Sequence, residues 1–105
     1  MLVDNIRIYW EYGTSVDANK SMLCIAVDHT TGKELSHGHA ECSVGDTFVK
    51  ETGRRISLQR LLVVLSAITY PFSMKDRKDF RARVWEKYRT LTKQPRWIPR
   101  TKVTV

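Results

Sequence analysis

Residues 21–44 read SMLCIAVDHTTGKELSHGHAECSV, and this stretch decides the fold. Ser21–His29 is apolar at nearly every position, as expected of a central strand. Thr31-Gly32 follows, a short turn in which glycine is free to take positive φ. Glu34–Val44 then reads as a second strand returning antiparallel to the first. Upstream, Asn5–Tyr12 sets Ile6, Ile8, Trp10 and Tyr12 against Arg7, Tyr9 and Glu11, the period of two of a half-buried strand. Gly13–Lys20 is a longer polar loop between them. The three segments predict a three-stranded antiparallel meander.

A register follows from the turns. Pairing Thr30 with Lys33 and Tyr12 with Ser21 places Ile6/Ile8/Trp10, Leu23/Ile25/Val27 and Ser36/Gly38/Ala40 on one face. That face is a coherent core, and the small side chains of its third strand let a helix approach closely. The other face becomes Arg7/Tyr9/Glu11, Met22/Cys24/Ala26 and His37/His39/Glu41. His37 and His39 on one side of a strand, near Cys24, have metal-ligating chemistry. No fourth ligand arrives at a familiar spacing, and His and Glu are ordinary residues of a solvated sheet face. The expectation is therefore no metal and no cofactor.

The remainder reads as helices. Val44-Gly45-Asp46 ends the sheet, a short helical turn runs through Glu51, and Gly53 is placed to close it. Ser57 is a predicted N-cap for a helix to about Thr69, with Leu58, Leu61, Leu62, Val64, Leu65 and Ile68 making it the central core helix. Tyr70-Pro71 breaks it. Ser73, with Asp76 three residues on, caps a final helix to about Leu91, whose buried stripe is Phe80, Val84, Tyr88 and Leu91. The fold class predicted is α+β, in the order βββ(α)αα, with two main helices packed on one face of the sheet. One domain spans 1–105: sheet 1–45, helical part 46–91, and a basic tail 92–105, either a flexible arm that orders on a polyanion or, as Trp97 and Ile98 favour, a partly docked segment.

Charge divides along the same boundary. Residues 1–49 carry three basic against seven acidic residues, a formal charge of −4; residues 50–105 carry fifteen against four, a charge of +11. Such a half suits a polyanionic partner, most commonly nucleic acid. Arg77, Arg81, Trp85 and Arg89 repeat at i, i+4 on the last helix, a guanidinium ladder with an indole in it. That pattern suits phosphate contact plus stacking. The bland alternative is a solvated helix face, neutralised in part by Asp79 with Arg83 and by Glu86 with its neighbours. Arg54 and Arg55, and Arg96, Arg100 and Lys102 of the tail, complete the candidate binding residues.

Other classes are disfavoured. There is no P-loop, no nucleophile elbow and no carboxylate pair at a telling spacing, so the chain reads as non-enzymatic with no catalytic residues. No apolar run approaches the ~20 residues that span a bilayer, so no membrane partner is expected. Met1–Asp4 does not open a secretory signal, and two cysteines are too few for a disulfide framework, which fits a cytoplasmic setting.

The pattern Phe48…Gly53-Arg54-Arg55-Ile56-Ser57-Leu58-x-Arg60-Leu61, followed by Arg83-x-Trp85-x-x-Tyr88, resembles a recurring arrangement in small uncharacterised proteins of tailed bacteriophages and prophages. It covers roughly residues 47–90. The resemblance implies a setting and no assigned activity: an accessory protein in the cytoplasm of a bacterial host, where small phage proteins often bind and disable host complexes, CRISPR effectors among them. Two readings follow. One is a binder of nucleic acid or of a nucleoprotein complex. The other is a protein-directed inhibitor or adaptor, for example an anti-CRISPR, that docks its basic face on an acidic host protein or accepts a strand at an exposed sheet edge.

Overall fold

Asp4 and Asn5 both adopt positive φ, 51° and 64°. Two consecutive residues in that region make the tight turn of a hairpin, and Asp and Asn tolerate it better than other side chains. The turn folds Leu2–Val3 (β1) back onto Ile6–Thr14 (β2). Lys20–Asp28 (β3) and Glu34–Glu41 (β4) follow, then helices Lys50–Thr69 (α1) and Met74–Thr92 (α2). The computed structural model of the chain describes residues 1–14, 20–41 and 49–92.

The fold is α+β, an antiparallel sheet with two helices, but the sheet has four strands in the order β1-β2-β3-β4 rather than three. The added strand is too short to show periodicity. Met1 extends it, its amino group donating to the Ile8 carbonyl at 2.9 Å while the Ile8 N–H donates to the Met1 carbonyl at 2.7 Å.

The register differs from the predicted one by a single residue. Trp10 pairs with Cys24 and Ile8 with Ala26; Cys24 pairs in turn with Gly38 and Ala26 with Ser36. A slip of one residue inverts a strand's faces. Met22, Cys24 and Ala26 therefore join Ile8 on the core face, and Leu23, Ile25 and Val27 lie with Tyr9, His37 and His39 on the other. Cys24 is on the opposite side of the sheet from both histidines, so the imagined Cys-His cluster does not exist. Among the described residues no group of three or more His, Cys, Asp or Glu is placed to hold a metal ion.

Between β3 and β4 the register is set locally. Asp28 accepts the N–H groups of Thr30 and Thr31 on its Oδ1, at 2.8 and 2.9 Å, and its own N–H donates to the Lys33 carbonyl. These amides hold its carboxyl below the usual carboxylate range. Gly32, at φ 77°, completes the turn, and an irregularity between Ala26 and Val27 pairs Val27 with Glu34. Leu35 becomes the extra residue of that bulge.

Helix α1 is continuous from Lys50, against the predicted stop at Gly53 and cap at Ser57. Both residues are buried inside the helix, and Ser57 Oγ donates to the Gly53 carbonyl at 2.8 Å instead of capping. The interior glycine costs about 1 kcal/mol, which burial of Leu58, Leu61, Leu62 and Leu65 offsets several-fold. Val64 and Ile68, assigned to the core from the sequence, are 49% and 56% exposed. Leu65 and Ser66, beside and beyond Val64 on the helix, are wholly buried, so Val64 is exposed by its angular position on α1, and Ile68 lies in the last turn of the helix.

The predicted break at Tyr70-Pro71 holds, as does the cap of α2: Ser73 Oγ accepts the Asp76 N–H at 3.1 Å. Phe80, Val84 and Tyr88 are buried against α1 and the sheet, joining Ile8, Cys24 and Ala26 in one core. Ser73→Ala should lower stability by about 1 kcal/mol in urea denaturation, the ordinary worth of such a cap; an unchanged midpoint would show that Ser73 contributes nothing to starting the helix. No described helix is long and apolar enough to cross a membrane.

Candidate functional site

Residues two apart on a helix lie about 200° apart around its axis. Ser57 and Leu61 of α1 face the sheet, so Gln59 and Val63 face away from it. There α1 and α2 leave a cleft in two halves that share Gln59 and Trp85. Each half has a volume of about 600 Å³.

Trp85 divides the cleft. Its ring meets Tyr88 edge-on at 5.7 Å, and Tyr88 in turn meets Trp10 of β2 at 5.7 Å. Trp10 Nε1 donates to the Arg54 carbonyl at 3.2 Å. The indole of Trp85 is thus braced through two aromatic rings to the sheet, and only part of it reaches solvent.

The half toward the start of α2 is lined by Arg77 and Arg81, with Ser66, Leu62, Val63 and Met74. Arg77 donates from Nε to the Tyr70 carbonyl at 2.9 Å and from Nη2 to the Pro71 carbonyl at 2.8 Å. Arg81 Nη1 donates to Ser66 Oγ at 3.1 Å. All three acceptors are neutral. They orient the two guanidiniums without cancelling their charge, and the residues lining this half include no carboxylate.

The other half is lined by Arg55 and Arg89 together with Glu51. Glu51 accepts from Arg54 at 3.0 Å and from the Tyr88 hydroxyl at 2.7 Å, and pairs with Arg55 at 3.8 Å. Burial, and then the bond to Glu51, push the Tyr88 phenol well above the ordinary tyrosine range. Arg89 pairs with Glu86 at 3.2 Å. Positive charge in this half is therefore partly compensated.

The structure brings together Arg55, Arg77, Arg81, Trp85 and Arg89 of the residues predicted from the sequence. Arg54 is turned inward toward Glu51 and is less exposed than Arg55. Arg96, Arg100 and Lys102 lie outside the described residues. The helix-face neutralisation also differs in detail: Asp79 pairs with Lys75, while Arg83 reaches across to Asp4 in the β1–β2 turn. Sequence reading missed the contribution of α1. Gln59, Val63 and Ser66 carry no charge pattern, and only the crossing of the two helices puts them opposite the arginines.

Phe72, between the helices, is 98% exposed, and its neighbour in the cleft wall, Met74, is 70% exposed. Comparison of the chain with protein families, with curated proteins and with solved structures finds no match.

Proposed function

We propose that this protein binds nucleic acid, free or within a nucleoprotein complex, through the cleft between α1 and α2. Arg77 and Arg81 take phosphate oxygens, Trp85 offers a ring face, and Arg55 and Arg89 extend the track. The observation that carries this reading is the convergence of two guanidiniums, held only by neutral oxygens, on one cleft beside an indole. Oriented guanidiniums with uncompensated charge are suited to phosphate. The +11 charge of residues 50–105 would draw a polyanion from a distance. In this reading the protein is a non-enzymatic accessory factor of phage type in a bacterial cytoplasm, acting by occupying a host nucleic acid or nucleoprotein.

The test is fluorescence anisotropy with a labelled 20-nucleotide DNA at two salt concentrations. Binding should weaken steeply with salt, as phosphate contacts release counterions. Arg81→Glu combined with Arg89→Glu should weaken binding at low salt by at least tenfold while leaving the melting temperature within a few degrees. Absence of binding at low salt, or indifference to salt, would sink the proposal.

A protein-directed inhibitor docking the same basic face on an acidic host surface is the second reading. The exposed Phe72 and Met74 favour it, because an apolar anchor beside a basic rim is common at protein interfaces. A pull-down from nuclease-treated bacterial lysate separates the two: a stoichiometric protein that survives nuclease supports docking on a protein, and loss of all bound material supports nucleic acid.

A further inference from the structure

Building on the nucleic-acid reading, we infer that the cleft selects a single strand over a duplex, with bases stacking on Trp85 and Phe72 and phosphates held by Arg77 and Arg81. In a duplex each base is covered on both faces by its neighbours, and the surface offers phosphates and groove edges. A ring sunk between two helices meets no base face there. An unpaired base can turn into the cleft and lie on the exposed part of Trp85, as bases do on the aromatic platforms of single-strand binders.

Phe72 supplies the second platform. It projects almost wholly into solvent from a turn that is fixed on both sides. The Tyr70 N–H donates to the Ser66 carbonyl at 2.9 Å, Arg77 bonds both the Tyr70 and Pro71 carbonyls, and Ser73 is engaged as the cap of α2. A phenylalanine held out on a fixed turn loses little conformational freedom on stacking. Arg77 is the shared part: one guanidinium braces the Phe72 turn and lines the cleft beside Arg81. Met74, at the same end, continues the apolar surface into the cleft.

The spacing sets a length. Trp85 lies eleven positions beyond Met74, about 16.5 Å along α2 at 1.5 Å per residue. That is the reach of at most about five nucleotides, the number a fully stacked strand would need at 3.4 Å each. Stacking serves every base, so the strand chosen is defined by being unpaired and by length rather than by sequence.

Two labelled probes test this at low salt: a twelve-nucleotide oligodeoxythymidylate and a twelve-base-pair hairpin duplex. The single strand should bind at least tenfold tighter. Phe72→Ala should weaken single-strand binding about fivefold or more, leave duplex binding unchanged, and leave the melting temperature unchanged because the ring packs on nothing. In a Trp97→Phe background, single-strand binding should quench tryptophan emission. Equal or tighter duplex binding, still sensitive to Arg81→Glu, would overturn single-strand selection and leave the nucleic-acid reading standing. Failure of both probes to bind would remove that reading itself. A Phe72→Ala protein that keeps full single-strand affinity but loses a protein partner from nuclease-treated lysate would overturn the stacking role.

Discussion

Gly38→Ala should destabilise this protein by more than about 3 kcal/mol, and Gly38→Val should prevent it from folding. A Cβ on residue 38 would sit 2.1 Å from the Ser57 carbonyl oxygen and 2.5 Å from the Leu61 nitrogen, both of them α1 backbone. No rotamer change relieves a clash with backbone, so the helix would have to rise from the sheet by about 1 Å to restore contact distance. The same helix carries Leu58, Leu61, Leu62 and Leu65 against Ile8, Cys24 and Ala26, and lifting it opens that whole layer. Overpacking typically costs about 1–3 kcal/mol, and more where rigid elements must move. Urea denaturation of three glycine variants checks the cause. At Gly13 a Cβ meets nothing within 4 Å and Gly13→Ala should be near neutral. At Gly32 there is open space but φ is 77°, and alanine should cost about 1–2 kcal/mol from backbone strain alone. A Gly38→Ala protein as stable as Gly13→Ala would mean that α1 does not rest on β4 at this point.

The small-residue strand that makes this contact was legible in the sequence, because Ser36, Gly38 and Ala40 share a face by simple alternation. The partner strand differs from the reading because its apolar run offers two plausible faces, and a bulge sets its register against β4. That bulge depends on one carboxylate, Asp28, gathering two amides, a signal that periodicity does not carry. The β1 hairpin was readable in principle from Asp4-Asn5, a turn pair that Leu2–Val3 is too short to advertise. Gly53 illustrates the opposite error. Its propensity says stop, but α1 is held by burial over four turns and overrides it.

The candidate site divides in the same way. Repetition of Arg77, Arg81, Trp85 and Arg89 every four residues specifies a helix face, and the structure places these residues along one cleft. What each guanidinium touches is a tertiary fact. Arg77 turns to the carbonyls that end α1, and Arg83, equally basic in sequence, is tied to Asp4 far away along the chain. Spacing identifies which arginines share a surface; the elements packed beside them determine which keep their charge available.

Raising the pH above 9 should progressively destabilise the protein, and Cys24 and Tyr88 should account for most of the slope. Cys24 is wholly buried, and burial pushes its thiol from 9.0 to about 12. The Tyr88 phenol is raised as well, by burial first and by its bond to Glu51 second. Both groups are neutral in the fold and hold their protons more tightly there than in the unfolded chain. Their contribution to stability is therefore complete below the unfolded thiol's range and is lost as pH rises from about 9 through about 12, because the unfolded state gives up protons that the folded state keeps. Three units on the thiol alone correspond to about 4 kcal/mol at the upper end, a large share of the 5–15 kcal/mol typical of a domain. Urea denaturation at pH 9 and 10.5 in a Cys42→Ser background should show stability lower by about 2 kcal/mol at the higher pH. Adding Cys24→Ala should lower stability at pH 7 but flatten that slope, and Tyr88→Phe should flatten it further. Native Cys24 should also resist a thiol reagent at pH 9 until urea opens the core. Rapid labelling without urea, or an alkaline slope unchanged by both substitutions, would show that the sheet–helix interface admits water at Cys24 and that the layer resting on Gly38 is looser than its contacts imply.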